Sequence, residues 1–309
     1  MCAVVTGANS GIGLAACEAL AARGARVVMC VRSPQRAAEA ISRVREAAPE
    51  GGDASIAVVT MDLADLESVR TAAAQISTEH KPNALLLNAG VMAVPFALTK
   101  DGHETQWQTN VLGHYVLTGA LLPALEANAR EGAPSRVVSQ SSVFHRYMPF
   151  RMRDDVDDER KYEQWRAYAR TKAANIWFCL ELQRRLEASG KADKVMSLAC
   201  HPGYSATGLQ FTPGKPQSAF SWSNTLFAQT AEGGAQPLLR AALDPDAAPG
   251  DFFGPQDSYT MPLASYGMTG GGAIREMPAA LARDGEQARL CWDVLATQAG
   301  GDILPAVDN

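Results

Sequence analysis

Residues 2–13 read CAVVTGANSGIG, and they are the most informative part of the sequence about the fold. Cys2–Thr6 is an apolar run of strand length, a glycine-rich turn follows it, and Leu14–Arg23 then has the period of a helix. A strand that enters a helix through a glycine-rich turn is typical of the first unit of a β-α-β fold. This stretch therefore predicts an α/β protein built on a parallel sheet.

The glycine turn has the residues that an anion-binding site needs. Gly7 allows the tight turn, Gly11 lets a phosphate approach the backbone, and Gly13 lets the helix pack closely on the strand. Because helix-start amides point outward and the helix dipole is positive there, the turn attracts a phosphate. A purely structural turn is the alternative, but its place on the first strand of a β-α-β pattern favours nucleotide binding. The residues predicted to hold the nucleotide here are Gly7, Asn9, Ser10, Gly11, Ile12 and Gly13.

Further apolar runs of strand length alternate with amphipathic stretches of helix length along the chain. Two of these helices are predicted at Gln35–Ala47 and Leu66–Glu79, the second with Asp65 as its N-cap. Near-continuous apolar strands are typical of a parallel sheet that is buried on both faces. We therefore predict a doubly wound, Rossmann-type α/β fold with right-handed crossovers. Its further strands are predicted at Arg26–Val31, Ser55–Met61, Ala84–Asn88, Arg136–Ser141 and Val195–Cys200.

The pattern loosens after Pro202, and glycine and proline become frequent up to about Pro278. We predict that residues 204–278 form a lid over the sheet, so that 1–309 is a single domain with a C-terminal cap. A last helix is predicted from Ala279 to Thr297. Most aromatic residues of the lid region are expected to close the core, and the others to line an apolar pocket. They are Phe211, Phe220, Trp222, Phe227, Phe252, Phe253, Tyr259 and Tyr266.

Composition and charge exclude several classes of protein. The chain has 309 residues, of which 47% are hydrophobic and 20% charged, as is typical of a globular protein. The net charge is −5 and no block of Lys and Arg is present, so nucleic acid is not an expected partner. The six cysteines form no CxxC pair and the five histidines have no metal-ligand spacing, so no metal site is predicted.

The sequence also predicts no membrane span and no secretory signal. The longest apolar stretch, around Ala84 to Leu98, is interrupted by Asn88 and Pro95 and is too short to cross a bilayer. Met1 to Thr6 already read as a strand, so we expect no signal peptide before it. The expected location is therefore the cytoplasm.

The end of the second predicted strand bears on which dinucleotide binds. An NAD site usually has a carboxylate here, which binds the ribose hydroxyls and repels a 2′-phosphate. This chain has Arg32 instead, which can pair with that phosphate, and Ser33 and Arg36 are placed to assist. A solvated arginine on a loop is the alternative interpretation. We favour NADP(H) as the cofactor over NAD(H).

Two other strand ends carry polar residues that are placed to contact the same cofactor. Asp62, with Leu63 beside it, follows the third strand and is placed to contact the adenine. Asn88-Ala89-Gly90 follows the fourth strand and can line the ribose. Either segment taken singly is also explained as ordinary loop chemistry, because Asp and Asn are common turn formers.

A tyrosine and a lysine stand four residues apart, at Tyr168 and Lys172, on a predicted helix that runs to Leu186. This spacing places both side chains on one face of the helix. A nearby ammonium group favours the phenolate, so Lys172 is expected to lower the pKa of Tyr168 towards the neutral range. Such a pair is common by chance, and alone it does not indicate catalysis.

Two further polar residues change this interpretation. Ser142 ends the fifth predicted strand, and Asn110 lies in a helical stretch that reads Asn110-Val-Leu-Gly-His114. Ligands of open α/β sheets bind at the carboxyl ends of the strands, so Ser142 is expected to reach the crevice beside the nucleotide.

In this order the motifs resemble those of the short-chain dehydrogenase/reductase superfamily, and within it the retinol-dehydrogenase-like group. The interval between Ser142 and Tyr168 and the approach to the tyrosine at residues 162–168 are similar to that group. The resemblance covers nearly the whole chain and is strongest from Val4 to Leu209. Its other motifs are the glycine turn, Asn88-Ala89-Gly90, Asn110, Lys172, His201-Pro202-Gly203, Phe253-Gly254-Pro255 and Leu290-Cys291-Trp292.

The resemblance implies a role for each residue. Tyr168 would be the general acid in carbonyl reduction and the base in alcohol oxidation, and Lys172 would hold the nicotinamide ribose. Ser142 would hydrogen-bond the carbonyl oxygen, and Asn110 would support a water-linked proton path. The implied enzyme transfers a hydride between NADP(H) and an apolar small molecule, as a monomer or homodimer. The residues that would line the nicotinamide pocket are Pro202, Gly203 and Thr207.

The sequence departs from the family at a few positions, and two other functions stay open. Thr171 replaces a usual serine, and Gln140 interrupts a strand end that is usually more apolar. The membrane anchor of many retinoid enzymes is not expected here. One alternative is a carbon–carbon double-bond reductase, as in the protochlorophyllide reductases, which would use the same cofactor and tyrosine. The other is an NADP(H)-binding regulator without catalysis.

Overall fold

An eight-stranded sheet forms the centre of the computed structural model, which describes residues 1–49, 56–146, 152, 156–203, 230–256 and 272–305. The strand order is β3-β2-β1-β4-β5-β6-β7-β8, and every neighbouring pair is parallel except β7 with β8. This confirms the predicted doubly wound α/β fold. The strands are β1 (Cys2–Thr6), β2 (Arg26–Val31), β3 (Ile56–Thr60), β4 (Ala84–Leu87), β5 (Ser135–Gln140), β6 (Val195–Cys200), β7 (Phe252–Pro255) and β8 (Ala273–Glu276).

Helices cover both faces of the sheet. Strand residues alternate between the faces: Val4 and Leu85 contribute to one core cluster, and Val5 and Leu86 to the other. The first cluster contains residues of α3, α5, α6 and α8, and the second contains residues of α1, α2 and α7. Burial on both faces explains why the strands are apolar along their length. The helices are α1 (Gly11–Ala21), α2 (Ala38–Ala47), α3 (Leu66–Glu79), α4 (Thr105–Trp107), α5 (Gly113–Ala127), α6 (Gln164–Ala188), α7 (Ala231–Leu243) and α8 (Gly285–Ala299).

The helix bounds agree with the sequence to within about two residues except at three helix starts. The helix predicted at Leu14–Arg23 is Gly11–Ala21 and so begins three residues earlier, directly in the glycine turn. The predicted helix Leu66–Glu79 is confirmed, and the Asp65 carboxylate caps it by accepting from the Ser68 N–H at 3.0 Å. The helix predicted from Gln35 begins at Ala38 instead. The last helix begins at Gly285 rather than Ala279, because the Asp284 carboxylate caps it there by accepting from the next amides.

The region predicted as a lid contains parts of the sheet, which the sequence did not reveal. Within 204–278, the described residues form α7, β7 and β8, and Phe252 and Phe253 are buried in the core. β7 reads Phe-Phe-Gly-Pro, so its composition indicates a turn, and it is a strand because it pairs with β6 and β8. The rest of the predicted lid, 204–229 and 257–271, lies outside the described residues, and so do the other six aromatic residues that were named for it.

The carboxyl-terminal helix packs against α5 and α6 through aromatic rings. Trp292 of α8 stacks on Phe178 with ring centroids 5.9 Å apart, and it meets the edge of Tyr115 at 5.1 Å. Within the described ranges, no helix is long and apolar enough to cross a membrane, and no group of His, Cys, Asp and Glu has the arrangement of a metal site.

Candidate active site

The predicted site residues meet at one edge of the sheet. β1, β4, β5 and β6 are neighbours and parallel, so their carboxyl ends lie side by side. The glycine turn follows β1, Asn88 follows β4, Ser142 follows β5 and His201 follows β6. Ligands of open α/β sheets bind at this edge, where the loops leave a crevice.

The glycine turn has the geometry of a phosphate cradle. Gly7 and Gly11 have φ of +66° and +53°, which side chains disfavour. A Cβ on Gly13 would lie 2.3 Å from the Gly7 carbonyl oxygen, so only glycine allows α1 to approach β1 this closely. Ser10 precedes α1 without capping it through its side chain, and the first helical turn has no acidic residue. The first backbone N–H groups of α1 are therefore available to an anion, and the turn is suited to a dinucleotide phosphate.

Side-chain hydrogen bonds join the ends of β1, β4 and β5 beneath this cradle. The Thr6 hydroxyl accepts from the backbone N–H groups of Asn88 and Ala89 at 3.0 and 2.9 Å. The Asn88 side chain donates to the Thr6 carbonyl at 2.9 Å and accepts from Gln140 Nε2 at 3.1 Å. Gln140, a departure from the family pattern, thus donates to the half-buried amide of Asn88. Asn88 in turn holds the loop whose ribose contact stays a prediction.

Asn110 lies in a single π-helical turn, Gln108–Leu112, between α4 and α5. Its carboxamide accepts from the Val91 N–H at 2.7 Å and donates to the Val91 carbonyl at 2.9 Å. It also donates to the Thr171 hydroxyl at 3.0 Å, and Thr171 donates to the Tyr168 carbonyl at 2.8 Å. The carboxamide therefore fastens the loop after β4 to the turn of α6 that bears Tyr168.

Tyr168 and Lys172 lie together on α6, as their spacing predicts. Lys172 Nζ lies 5.6 Å from the centre of the Tyr168 ring, and the two residues are only 5% and 4% exposed. Burial raises the pKa of Tyr168 to about 12, against the lowering effect of the Ser142 hydroxyl. The expected lowering by Lys172 is wrong for this structure, because desolvation of the phenolate outweighs any attraction by the ammonium.

The ammonium of Lys172 is desolvated and has few partners. Burial lowers the pKa of Lys172 to about 8, while the Cys200 thiol acts in the opposite direction. Nζ donates to the Gln140 carbonyl at 3.1 Å, its one hydrogen bond to a described residue. An ammonium has three N–H donors, so donor capacity is left at the crevice.

Ser142 is held beside Tyr168 by residues that the sequence did not single out. Ser142 Oγ accepts from the Phe144 N–H at 3.3 Å, and the Ser142 carbonyl accepts from His145 Nδ1 at 2.5 Å. The Phe144 ring meets Tyr168 edge-on at 5.6 Å and stacks on Trp165 at 5.4 Å. Phe144 and Trp165 thus form an apolar wall beside the phenol. Their nearness to Ser142 and Tyr168 in the chain was the one signal that could have indicated it.

The loop after β6 was predicted to face the nicotinamide. Gly203 has φ +70° and is buried, and its N–H donates to His201 Nδ1 at 3.1 Å. The other imidazole nitrogen of His201 lies 3.1 Å from the Glu276 carboxylate of β8. Glu276 was missed, because nothing local in the sequence links a strand residue to a loop 75 positions away. Thr207, also predicted for this pocket, lies outside the described residues.

The residues predicted to contact the adenosine half lie at the ends of β2 and β3. Arg32 is exposed and makes no hydrogen bond or ion pair to the described part of the chain. The Ser33 hydroxyl donates to Gln35 Oε1 at 3.2 Å. Asp62 Oδ1 accepts from the Ala64 N–H at 3.0 Å, while Leu63 is 5% exposed and belongs to the core. Asp62 thus stabilises its own turn, and its contact with adenine stays a prediction.

Comparisons with known proteins agree with this geometry. The family model for short chain dehydrogenase matches residues 1–153. Retinol dehydrogenase 14 of Mus musculus is 36% identical over 81% of this chain and 76% of its own length. Short-chain dehydrogenase TIC 32 B, chloroplastic, of Brassica napus is 35% identical over 79% of this chain and 76% of its own.

A solved structure shows the same fold. A protein from Mycobacterium Paratuberculosis superposes with a TM-score of 0.74 at 33% identity, over 98% of this chain and 94% of its own. The chain therefore belongs to the short-chain dehydrogenase/reductase superfamily, a family of oxidoreductases that use a nicotinamide cofactor, and it is similar to the retinol dehydrogenases within it.

Proposed function

We propose that this protein is an NADP(H)-dependent oxidoreductase that transfers a hydride between the nicotinamide and a carbonyl or alcohol carbon of an apolar small molecule. One observation carries the proposal: Tyr168, Lys172 and Ser142 converge at the sheet edge where the glycine turn opens. With this function we propose a cytoplasmic enzyme that is a monomer or a homodimer.

Tyr168 is the proton donor in carbonyl reduction. When NADPH is bound, its nicotinamide would supply the hydride, and the carbonyl oxygen of the substrate would gain negative charge. A phenol whose pKa is about 12 carries its proton at neutral pH, as a general acid must. The Ser142 hydroxyl, which faces Tyr168, offers a second hydrogen bond to the same oxygen and stabilises its charge.

Lys172 holds the ribose and supports Tyr168 electrostatically. Its remaining N–H donors are available to ribose hydroxyls, because the Gln140 carbonyl uses only one of them. Its positive charge, buried close to the ring, favours the developing phenolate as the proton leaves Tyr168. Asn110 keeps the loop beside Lys172 in place: a Cβ on Gly90 would lie 3.0 Å from Asn110 Oδ1 and 3.6 Å from Lys172 Nζ.

NADP(H) is the proposed cofactor because of the charge at the end of β2. Arg32 is exposed there, and no described carboxylate pairs with it. A guanidinium without such a partner suits a 2′-phosphate, and this strand end lacks the carboxylate that would select NAD(H).

An apolar substrate is proposed from the surroundings of Tyr168. Phe144 and Trp165 place an aromatic wall beside the phenol, so that a hydrophobic chain or ring can be desolvated against it. The similarity to proteins named retinol dehydrogenase points to the same class of molecule.

A pair of tyrosine variants tests the proposal. Wild-type protein should oxidise NADPH with members of a panel of apolar aldehydes and ketones, and Tyr168→Phe should lower kcat about 10²- to 10⁴-fold. Tyr115→Phe is the matched control, because Tyr115 is buried against α8, where its hydroxyl accepts from the Ile303 N–H at 3.2 Å. Turnover by Tyr168→Phe near the wild-type rate would refute the assignment.

A further inference from the structure

Glu276, the last residue of β8, has a carboxylate buried beside the candidate site. Its side chain is 3% exposed, and Oε2 lies 3.1 Å from His201 Nε2 and 3.8 Å from Arg146 Nη2. Burial of a carboxylate is costly unless hydrogen bonds or opposite charges compensate. His201, at hydrogen-bond distance, is the nearest group that compensates the burial of this carboxylate.

The hydrogen bonds of His201 fix its tautomer. Nδ1 accepts from the Gly203 N–H at 3.1 Å, so this nitrogen carries no proton. The proton of the neutral ring then lies on Nε2, which donates to Glu276. An acceptor at Nε2 thus keeps His201 in the only neutral tautomer that can hold the Gly203 amide.

The same end of β8 is fastened to the segment that follows Ser142. His145 Nδ1 donates to the Ser142 carbonyl at 2.5 Å, and its Nε2 accepts from the Ala279 N–H at 3.3 Å. The Phe252 ring contacts both imidazoles, edge-on to His145 at 5.4 Å and stacked on His201 at 5.3 Å, and the two imidazole centroids are 6.1 Å apart. We call Glu276, His145, His201 and Phe252 the histidine clamp.

The neighbouring strand is shaped to admit this clamp. A Cβ on Gly254 of β7 would lie 2.2 Å from Glu276 Oε1 and 2.4 Å from His201 Nε2. Either contact is too close for any side chain. The glycine of β7 therefore provides the space in which the carboxylate and the imidazole meet.

We propose that Glu276 is a positioning residue for hydride transfer: as acceptor for His201 in the histidine clamp, it holds the Pro202–Gly203 loop against the nicotinamide. This inference rests on the proposed function. Glu276 would act through His201 and Gly203, to which it is joined by two consecutive hydrogen bonds. Loss of the acceptor at Nε2 frees the ring to rotate or change tautomer, and the Gly203 amide then loses its partner.

Variants of Glu276 separate this role from simple packing. Glu276→Ala and Glu276→Met remove the acceptor, the second with little change of volume, while Glu276→Gln retains an oxygen that accepts from His201 Nε2. Arg275→Ala is the matched control, because Arg275 lies on the same strand, is 45% exposed at its side chain and pairs only with Asp251 among the described residues.

The first measurement is hydrogen–deuterium exchange at the Gly203 amide, without cofactor. We expect exchange about tenfold faster in Glu276→Ala and Glu276→Met, and wild-type exchange in Glu276→Gln and Arg275→Ala. The second is turnover of the best aldehyde substrate. We expect kcat to fall about 10- to 100-fold without the acceptor, while the Kd of NADPH changes far less, because the glycine turn still holds the phosphates. Glu276→Gln should recover most of the rate.

Two outcomes would overturn the inference. One is a Glu276→Ala or Glu276→Met protein whose Gly203 exchange and kcat match those of Arg275→Ala. The other is a Glu276→Gln protein as slow as the variants without an acceptor. A wild-type protein that neither binds NADPH nor reduces any aldehyde overturns the proposed function instead, and the exchange measurement still decides whether Glu276 holds Gly203.

Discussion

The two halves of α6 bury one cation each, and they use it differently. In the first half Lys172 makes a single hydrogen bond to a described residue, the Gln140 carbonyl. In the second half Arg185 donates to Glu181 at 2.8 Å and to Asp302 and the Leu304 carbonyl at 2.9 Å, and its guanidinium covers Trp292 at 4.6 Å. Burial of a charge alone therefore does not indicate a functional site. A buried cation indicates a functional site when it lies at a crevice and some of its N–H donors have no partner among the described residues.

The surroundings of the two halves explain the contrast. Residues 164–175 face the sheet edge, where Ser142 and the loop after β4 leave space beside Tyr168. Residues 176–188 pack against α8, where the Trp292 ring and the carboxylates of Glu181 and Asp302 fill the space around Arg185. Substitutions in the second half should therefore change stability, and those in the first half should change catalysis.

We expect the largest change in stability where the second half of α6 packs against Trp292 of α8. Trp292→Ala removes the ring that Phe178, Tyr115 and Arg185 contact, and we expect a loss of about 3–5 kcal/mol in the free energy of unfolding. Urea denaturation measures it, with exposed Arg289→Ala of the same helix as the control. The folded fraction should bind NADPH with unchanged Kd. A Trp292→Ala protein of unchanged stability that no longer binds NADPH would contradict the structural role of this half of α6.

Lys172→Met should have the opposite signature. We expect kcat/KM for carbonyl reduction to fall by about 100-fold, because the ribose contact and the charge beside Tyr168 are both lost. Stability at pH 7 should not fall, since burial lowers the pKa of Lys172 and the charged form is thus disfavoured by folding. Exposed Lys194→Met serves as the control. A variant that is destabilised yet fully active would show that Lys172 is structural.

The pH dependence of kcat/KM tests the role of Lys172 in the first half of α6. Lys172, with a pKa of about 8, loses its proton well below the range of an ordinary lysine, whereas Tyr168 keeps its own up to about pH 12. We expect kcat/KM for reduction in the wild type to be constant below pH 8 and to fall about tenfold per pH unit above it. The fall should be absent in Lys172→Met. A profile that is flat to pH 10 would contradict the role of the ammonium.

The smallest expected effect concerns the choice of cofactor. Arg32→Ser should lower the preference for NADPH over NADH by about tenfold, mainly by weakening NADPH binding, since one charge-assisted contact with the 2′-phosphate is lost. The ratio of kcat/KM for the two cofactors measures it. Arg36→Ser, in the next turn of the chain, should change the ratio less. A clear preference of the wild type for NADH would refute the role given to Arg32.

The part of the site that depends on backbone conformation and short spacing was predictable from the sequence. Glycines at 7, 11 and 13 and the interval from Tyr168 to Lys172 are local patterns whose geometry follows from one turn and one helix. The strands β1 to β6 were predictable for a similar reason, because burial on both faces makes each of them apolar.

The rest depended on contacts that no local pattern encodes. β7 and β8 have four residues each, and their state follows from pairing rather than composition. In the sequence Glu276 looks like an ordinary charged residue of a strand. Only the pairing of β8 with β7 shows that its carboxylate lies beside His201. The raised pKa of Tyr168 was missed as well, because spacing reveals the neighbouring lysine but not how completely both groups are desolvated.

Isotope transfer shows whether a hydride reaches a carbonyl carbon beside Tyr168. Wild-type protein would be incubated with NADPH deuterated at C4, as each of the two stereoisomers, and with apolar α,β-unsaturated aldehydes that include retinaldehyde. Mass spectrometry and NMR would locate the label. We expect one stereoisomer to give an alcohol with one deuterium on the former carbonyl carbon. Deuterium on a former double-bond carbon, or in no product despite bound NADPH, would contradict this expectation.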